Sequence, residues 1–534
     1  MPKLPPSVFN DVLGPVMRGP SSSHSAAGNR IGRLCRDLIG GTDPARVIID
    51  YDPSGSLVTT HKSQGTDLGL YGGLLGWPQD DPRLLHYADG LAEAGIEIEV
   101  RYVDYGAAHP NTYRITLHDR DGNEARELRA ISTGGGMIEV EAIDGTPVTI
   151  HGDAFETLFL TETTPSPTAL AELEQLPAVE SATWCAGERP FVKVQSRAPL
   201  DDSLKAELNQ RVRATTEPKT LQPVLPILGG SDVSVPFVTA EEMRTWNDDK
   251  GLELWELARR YEAARGGISE AEVDRRMRDL LEVFETAIRT GRAGTEFDDR
   301  LLPAQSPGFA DKLDAGSLVP AGAMNQVILY VTAIMEVKSS MGVIVAAPTA
   351  GSCGAMPGAV IGVADSLGLD ADAKVRGLLI AGLIGVFIAH RATFAAEVGG
   401  CMAECGSGSG MAAAAITHLA GGTTEQQLSA ASAALQNSFG MICDPIANRV
   451  EAPCLGRNTM AATNALGCSN MALAGYRHLV PLDEVLAAMD EVGHALPHEL
   501  CCTAKGGLSI TPTSKRLERE LESQNTTPSR KPGC

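Results

Sequence analysis

Four stretches in the first 150 residues are rich in β-branched and aromatic positions: 46–52 (RVIIDYD), 96–105 (IEIEVRYVDY), 112–118 (TYRITLH) and 137–142 (MIEVEA). Runs of this length and composition read as strands. Between the first two, residues 68–76 take a helical pattern. Strands mixed with short helices predict an N-terminal α/β (α+β) domain over 1–155. From residue 165 to 228 the order becomes helix (169–176), strand, strand (191–196 being the clearest), helix, strand. That order predicts a small ferredoxin-like, ACT-like module, or else a linker, over 156–236. Beyond Thr239 the period changes. Thr239-Ala-Glu-Glu242, Ser269-Glu-Ala-Glu272 and Thr423-Thr-Glu-Gln426 are capping boxes, each opening a helical run, and strand signals nearly vanish as far as His494. A large all-α domain is expected over 237–510. Residues 511–534 read as a polar, mobile C-terminal tail.

Charge narrows the function classes. With 45 Lys and Arg against 67 Asp and Glu, the 534-residue chain carries a net charge of −22. Such a surface repels nucleic acid and acidic membrane faces. Aromatics at 4% leave no stacking platform for single strands. The opening MPKLPPSVFN lacks the apolar run of a secretory leader, and the longest apolar stretch, 377–389, is too short to span a bilayer. A cytoplasmic protein without a membrane segment is the expectation.

In a reducing compartment, eleven cysteines need an explanation other than a disulfide scaffold. Three sit at breaks in the helical pattern: Cys401 after Gly399-Gly400, Cys443 before Asp444-Pro445, and Cys454 after Pro453. Glycine and proline there free the backbone, so that thiolates from distant segments can converge. No CxxC pair exists, which argues against a zinc ribbon or a thioredoxin-type motif. Three separated thiolates suit an iron–sulfur cluster with one iron open; buried inert thiols are the competing reading.

The segments Gly399-Gly-Cys-Met-Ala-Glu404, Gly440-Met-Ile-Cys-Asp-Pro445 and Ala452-Pro-Cys454 followed by Arg457-Asn458 resemble the cluster-binding segments of iron–sulfur-dependent bacterial L-serine dehydratases. Residues 347–354 (APTAGSCG), the Gly19-Pro-Ser-Ser-Ser-His-Ser25 loop, His109-Pro-Asn111, Ser132-Thr-Gly-Gly-Gly136 and Gly506-Gly-Leu508 also match segments of that family, in its order along the chain. The resemblance implies a single-chain β-plus-α enzyme that converts L-serine to pyruvate and ammonia. It further implies a [4Fe-4S] cluster on Cys401, Cys443 and Cys454, an open fourth iron acting as Lewis acid on the β-hydroxyl, and a homodimer acting on a small amino acid. Relatives close the fourth iron at rest with a C-terminal cysteine. Cys534 is the equivalent here, with Cys353 and Cys405 as rivals.

Hydroxyls and backbone N–H groups at a helix start favour anions. Ser22, Ser23 and Ser25 are therefore expected to cradle the substrate carboxylate, with His24 as an acid–base or orienting group. His109, held extended before proline, and Asn111 are further candidates. The loop Thr60-His-Lys-Ser-Gln-Gly-Thr-Asp67 departs from the family's GKGHGTD: its histidine falls on Gln64, and His61 replaces a glycine. Lys338 stands where the family commonly has asparagine. Candidates for the base are thus His61, His24 and Lys338. The alternatives are a related cluster lyase on another β-substituted amino acid, such as a cysteine desulfidase, and a non-catalytic iron or amino-acid sensor. No lysine occurs in the context that pyridoxal-phosphate dehydratases use, and Gly406-Ser-Gly-Ser-Gly410, lacking a preceding strand, reads as close helix packing.

Overall fold

The structure is a computed structural model describing residues 4–122, 125–230 and 233–525. Two compact units emerge. One gathers the chain up to Arg18, Ser22–Pro236 and Arg260–Glu272; the other gathers Gly19–Ser21, Phe237–Arg259 and the chain from Val273 on.

The first unit contains a six-stranded sheet. Across it run, in order, Glu97–Tyr102, Arg46–Tyr51, Thr112–His118, Arg126–Gly134, Met137–Ile143 and Thr146–Ile150. Arg46–Tyr51 and Glu97–Tyr102 pair in parallel, and the remaining neighbours are antiparallel. Strand alternation is visible in Thr112–His118, where Tyr113, Ile115 and Leu117 are fully buried while Arg114 and Thr116 are not. Two helices of this unit, Ala27–Leu38 and Thr66–Leu74, touch backbone to backbone. A Cβ on Gly69 would fall 1.8 Å from the Ser25 carbonyl oxygen, one on Gly73 2.2 Å from that of Asn29, and one on Gly32 2.3 Å from that of Leu70. Backbone atoms cannot swing aside as a side chain can. Gly73→Ala is therefore expected to destabilise this unit by about 3 kcal/mol, read as a lowered midpoint in its thermal or urea transition.

A second sheet in the same unit follows the order strand Phe155–Leu160, helix Pro167–Leu173, strands Ser181–Cys185 and Phe191–Ser196, helix Asp202–Arg211, strand Lys219–Leu221. Its antiparallel strands lie in the order last, first, third, second. This is the ferredoxin-like arrangement that the pattern predicts. Phe159, Val192, Val194 and Leu208 form its own core.

The described residues of the second unit are mostly helical, with a three-residue strand at Val343–Val345. The predicted caps form: Thr239 Oγ1 accepts from the Glu242 amide, Ser269 Oγ from the Glu272 amide, and Thr423 and Gln426 cap each other reciprocally. Helix Ala371–Arg391 is long and apolar enough to cross a membrane by length and composition, but most of it is buried inside the unit as a core helix. Gly406-Ser-Gly-Ser-Gly410 leads into the fully buried start of helix Ser407–Leu419, with Gly410 against Leu435. One expectation needs correction. The start of the polar tail is a helix, Pro512–Asn525. Its polar residues pair along the surface, Lys515 with Glu518 and Arg516 with Glu520. Ser514 and Leu521 form a narrow buried stripe too sparse to register as helical periodicity.

Candidate functional site

Backbone breaks place the cysteines of the second unit. Gly400 has φ +62°, and a Cβ there would lie 2.6 Å from the Met441 carbonyl oxygen, so only glycine lets the two segments meet. The Met402 amide donates to that same carbonyl at 2.9 Å. Cys401 is thereby set beside the 441–443 segment, and a π-turn, Met402–Gly406, follows it. Cys443 bridges to Cys501: its amide donates to the Leu500 carbonyl (2.8 Å), and the Cys502 amide donates to the Cys443 carbonyl (3.0 Å). Cys454 is the first residue of helix Cys454–Leu473.

The sulfurs converge. The Cys443 thiol hydrogen-bonds with both Cys401 and Cys502. The Cys401 sulfur, a Glu404 carboxylate oxygen and the Cys443 sulfur lie within 4.8 Å of one another. Arg457 Nη1 donates to Cys401 Sγ at 3.4 Å, while its Nη2 donates to Asp444 Oδ1 at 2.5 Å. The bond from Cys443, together with the Arg457 charge, holds the Cys401 thiol below its ordinary value despite burial. Cys443 is pushed the other way by its bonds to Cys401 and Cys502. Burial does the same to Cys405 and Cys454. Burial beside the Cys401 thiolate raises Glu404 to about 8; Thr349 Oγ1 donates to it at 2.6 Å.

This donor set tests the expected cofactor. Cys401, Cys405, Cys443, Cys454 and Cys502 are all buried with free thiols. Lowering them to thiolates demands more positive charge than Arg457 and Lys338 provide, because uncompensated buried anions are costly. A cationic metal centre supplies that charge, and thiolates on separate segments are what such a centre needs. The residues fit the group.

The remaining cysteine and lysine candidates separate. Cys353 Sγ sits 3.8 Å from Met335 Sδ, and burial pushes its thiol up to about 12. Cys405 accepts from Asn458 Nδ2 at 3.5 Å and packs against Ala355 and Ala461. Cys534 lies outside the described residues. Lys338 is fully buried and donates from Nζ to the Val450 carbonyl, so it pins the chain just before Cys454. Cys502 escaped sequence reasoning. Its signal was the adjacent Cys501-Cys502 pair just ahead of the Gly506-Gly-Leu508 segment.

The N-terminal candidates form two groups within the first unit. Ser22, His24 and Ser25 are buried in a π-turn, Ser22–Ala26, that runs into helix Ala27–Leu38. His24 Nε2 is 2.9 Å from Thr60 Oγ1, and its Nδ1 is 3.1 Å from Ser23 Oγ. Thr60 Oγ1 donates to the Ser56 carbonyl, Ser56 Oγ donates to Asn111 Oδ1, and the Asn111 carbonyl accepts from the Ser132 amide. His24, Asn111 and Ser132 thus share one buried polar chain. His109 Nδ1 accepts from the Asn111 amide at 3.1 Å, which orders that turn. His61 stands in a group of its own: Nδ1 is 2.8 Å from Asp67 Oδ1, and Nε2 is 3.0 Å from the Tyr102 hydroxyl. The structure also commits part of the expected serine cradle elsewhere, since Ser25 Oγ donates to the Arg18 carbonyl at 3.0 Å and Ser23 serves His24.

Comparison with known proteins follows the same residues. The family described as serine dehydratase alpha chain matches residues 249–509, which hold Lys338 and all the converging cysteines. The L-serine dehydratase alpha chain of Peptoniphilus asaccharolyticus is 34% identical over 284 residues, covering 53% of this chain and 97% of that one. The chain belongs to the L-serine dehydratase family. The probable L-serine dehydratase alpha chain of Bacillus subtilis is 38% identical over 250 residues, 47% of this chain and 83% of its own. The probable beta chain of that organism's L-serine dehydratase is 45% identical over 148 residues, 28% of this chain and 64% of its own. One polypeptide of this family member thus resembles chains that are separate in B. subtilis.

Proposed function

We propose that this chain is a lyase that converts L-serine to pyruvate and ammonia, using a [4Fe-4S] cluster held by Cys401, Cys443 and Cys454. The observation that carries the proposal is the buried convergence of Cys401 and Cys443, with Arg457 on the Cys401 sulfur, in a member of the L-serine dehydratase family. When bound, the cluster supplies a Lewis acid for the departing β-oxygen.

The chain's own residues do the rest. Arg457, braced by Asp444, offsets the Cys401 charge. Asn458 accepts from the amides of Gly354 and Ala355 while donating to the carbonyls of Gly351 and Cys454, which locks two loops together. His61 is the base. The Asp67 carboxylate lies on its Nδ1 and the Tyr102 hydroxyl on its Nε2: with Asp67 accepting from Nδ1–H, Nε2 takes the α-proton once the tyrosine hydroxyl gives way to substrate. Loss of that proton and of the β-hydroxyl as water leaves 2-aminoacrylate, which tautomerises and is hydrolysed to pyruvate and ammonia. His24, tied to Thr60 and Ser23, keeps its place as an orienting group. The same reading makes the enzyme a cytoplasmic homodimer.

Anaerobic purification tests this reading. Expected are about four irons and four acid-labile sulfides per chain, and pyruvate formation from L-serine that is lost in air. Absence of iron after anaerobic work would overturn it, as would sulfide release from L-cysteine without serine turnover.

A further inference from the structure

Arg30 lies on helix Ala27–Leu38 with only 1% of its surface exposed. Its Nη1 donates to the Gly136 carbonyl and sits 3.7 Å from Met137 Sδ. Its Nε has no acceptor. Among the described residues no carboxylate lies within ion-pair distance of it; the Asp11 charge acts on it from farther off, and burial outweighs that to depress its pKa to about 10. A buried guanidinium without an anion in direct contact is costly, and proteins rarely keep one unless something else completes the pair.

A second unpaired group sits on the strand that leads to Gly136. Ser132 is fully buried, and its Oγ likewise lacks a partner. It opens the Ser132-Thr-Gly-Gly-Gly136 run, whose last glycine presses on the start of the Arg30 helix: a Cβ there would lie 3.3 Å from Ala26 Cβ and 3.6 Å from Arg30 Nη1. The Ser132 amide joins the buried polar chain that reaches His24 through Asn111, Ser56 and Thr60. The Arg30 guanidinium therefore meets the end of the glycine run that Ser132 opens, with no carboxylate in contact with it.

We propose that Arg30, assisted by the Ser132 hydroxyl, binds the carboxylate of the amino-acid substrate. The assignment rests on the proposed serine chemistry for the identity of the ligand, and on the Arg30 guanidinium alone for its charge. A guanidinium fork matches a carboxylate in shape as well as charge. With Ser25 committed to the Arg18 carbonyl and Ser23 to His24, the charge for this task comes from Arg30.

Steady-state kinetics of the holoenzyme test it. Arg30→Met is expected to raise KM for L-serine about 10- to 100-fold, the range for losing a hydrogen bond to a charged group, with kcat changed only a few-fold. Arg30→Lys should fall between. The same variants are then melted with L-alanine, which has no leaving group, and with L-alaninamide, which has no carboxylate. Wild type should gain thermal stability from L-alanine, Arg30→Met should lose that gain, and L-alaninamide should treat the two alike. Equal losses for both ligands, or an unchanged KM, would make Arg30 a structural pin and overturn the proposal. No gain from L-alanine in wild type would overturn it as well. If Arg30→Met does not fold, Arg30→Lys decides by the same comparison. A wild type that gains stability from L-alanine through Arg30 yet releases no pyruvate from L-serine would sink the serine reading and leave the carboxylate site standing.

Discussion

A Cys443→Ser enzyme purified without oxygen is expected to retain less than about a tenth of the wild-type iron and to form pyruvate at no more than about a thousandth of the wild-type rate. Cys443 is the hub of the sulfur group, since its thiol contacts both Cys401 and Cys502. Its backbone is strapped on both sides, to Leu500 and to Cys502, so a serine placed there has nowhere to move to compensate. Serine offers an alcohol in place of a soft thiolate, a poor donor for iron. Cys353→Ser supplies the contrast. Cys353 packs on Met335 and should cost stability while leaving the iron in place. Iron and sulfide analysis on the two variants separates the outcomes. Equal iron in both would remove Cys443 from the metal site.

His61→Asn should lower kcat by a factor of about 10² to 10⁴, the usual worth of a positioned general base, without loss of iron. Asp67→Asn should give a smaller fall. Without the carboxylate the imidazole loses the partner that fixes its tautomer, while Tyr71 and His61 still pack around the amide. The measurement that separates chemistry from structure is the α-deuterium isotope effect on kcat. It should grow in both variants as proton removal becomes the slow step. A reduced kcat with an unchanged isotope effect would mean that His61 only shapes the fold, and the base would have to be sought elsewhere.

Local signals in the chain carried much of this. Strand composition marked the sheet, three caps marked helix starts, and glycine or proline beside Cys401, Cys443 and Cys454 marked where the backbone turns out of helical geometry. What remained hidden depends on pairing across distance. Cys502 reaches Cys443 only because the segments pair at Cys443 and Cys501. Arg30 gains its meaning from Gly136, 106 residues away. The sequence suggested a serine cradle because hydroxyls at a helix start have that chemistry locally; which of them are already engaged is a tertiary fact. Lys338 shows the same limit. A lysine in an apolar helix suggests a base, yet the Val450 carbonyl takes its ammonium. The helix Pro512–Asn525 was missed because its buried stripe is thin and its stability comes from what it docks on.

That helix bears on how the enzyme is made. The segment between Cys443 and Cys454 is held by residues much later in the chain. Asp444 receives the Leu508 amide, the Pro445 carbonyl receives the Ser509 hydroxyl, and the Ala447 amide, in a strained left-handed turn, donates to Ser514 Oγ. During synthesis on the ribosome, Cys401, Cys443 and Cys454 all emerge before the residues that lock their spacing. A nascent chain therefore exposes these thiols before the contacts that hold the 444–447 segment, so under the proposed function iron delivery follows the end of translation, and a chain cut short at residue 505 would keep the Leu500 and Cys502 straps on Cys443 but lose the contacts from Leu508, Ser509 and Ser514.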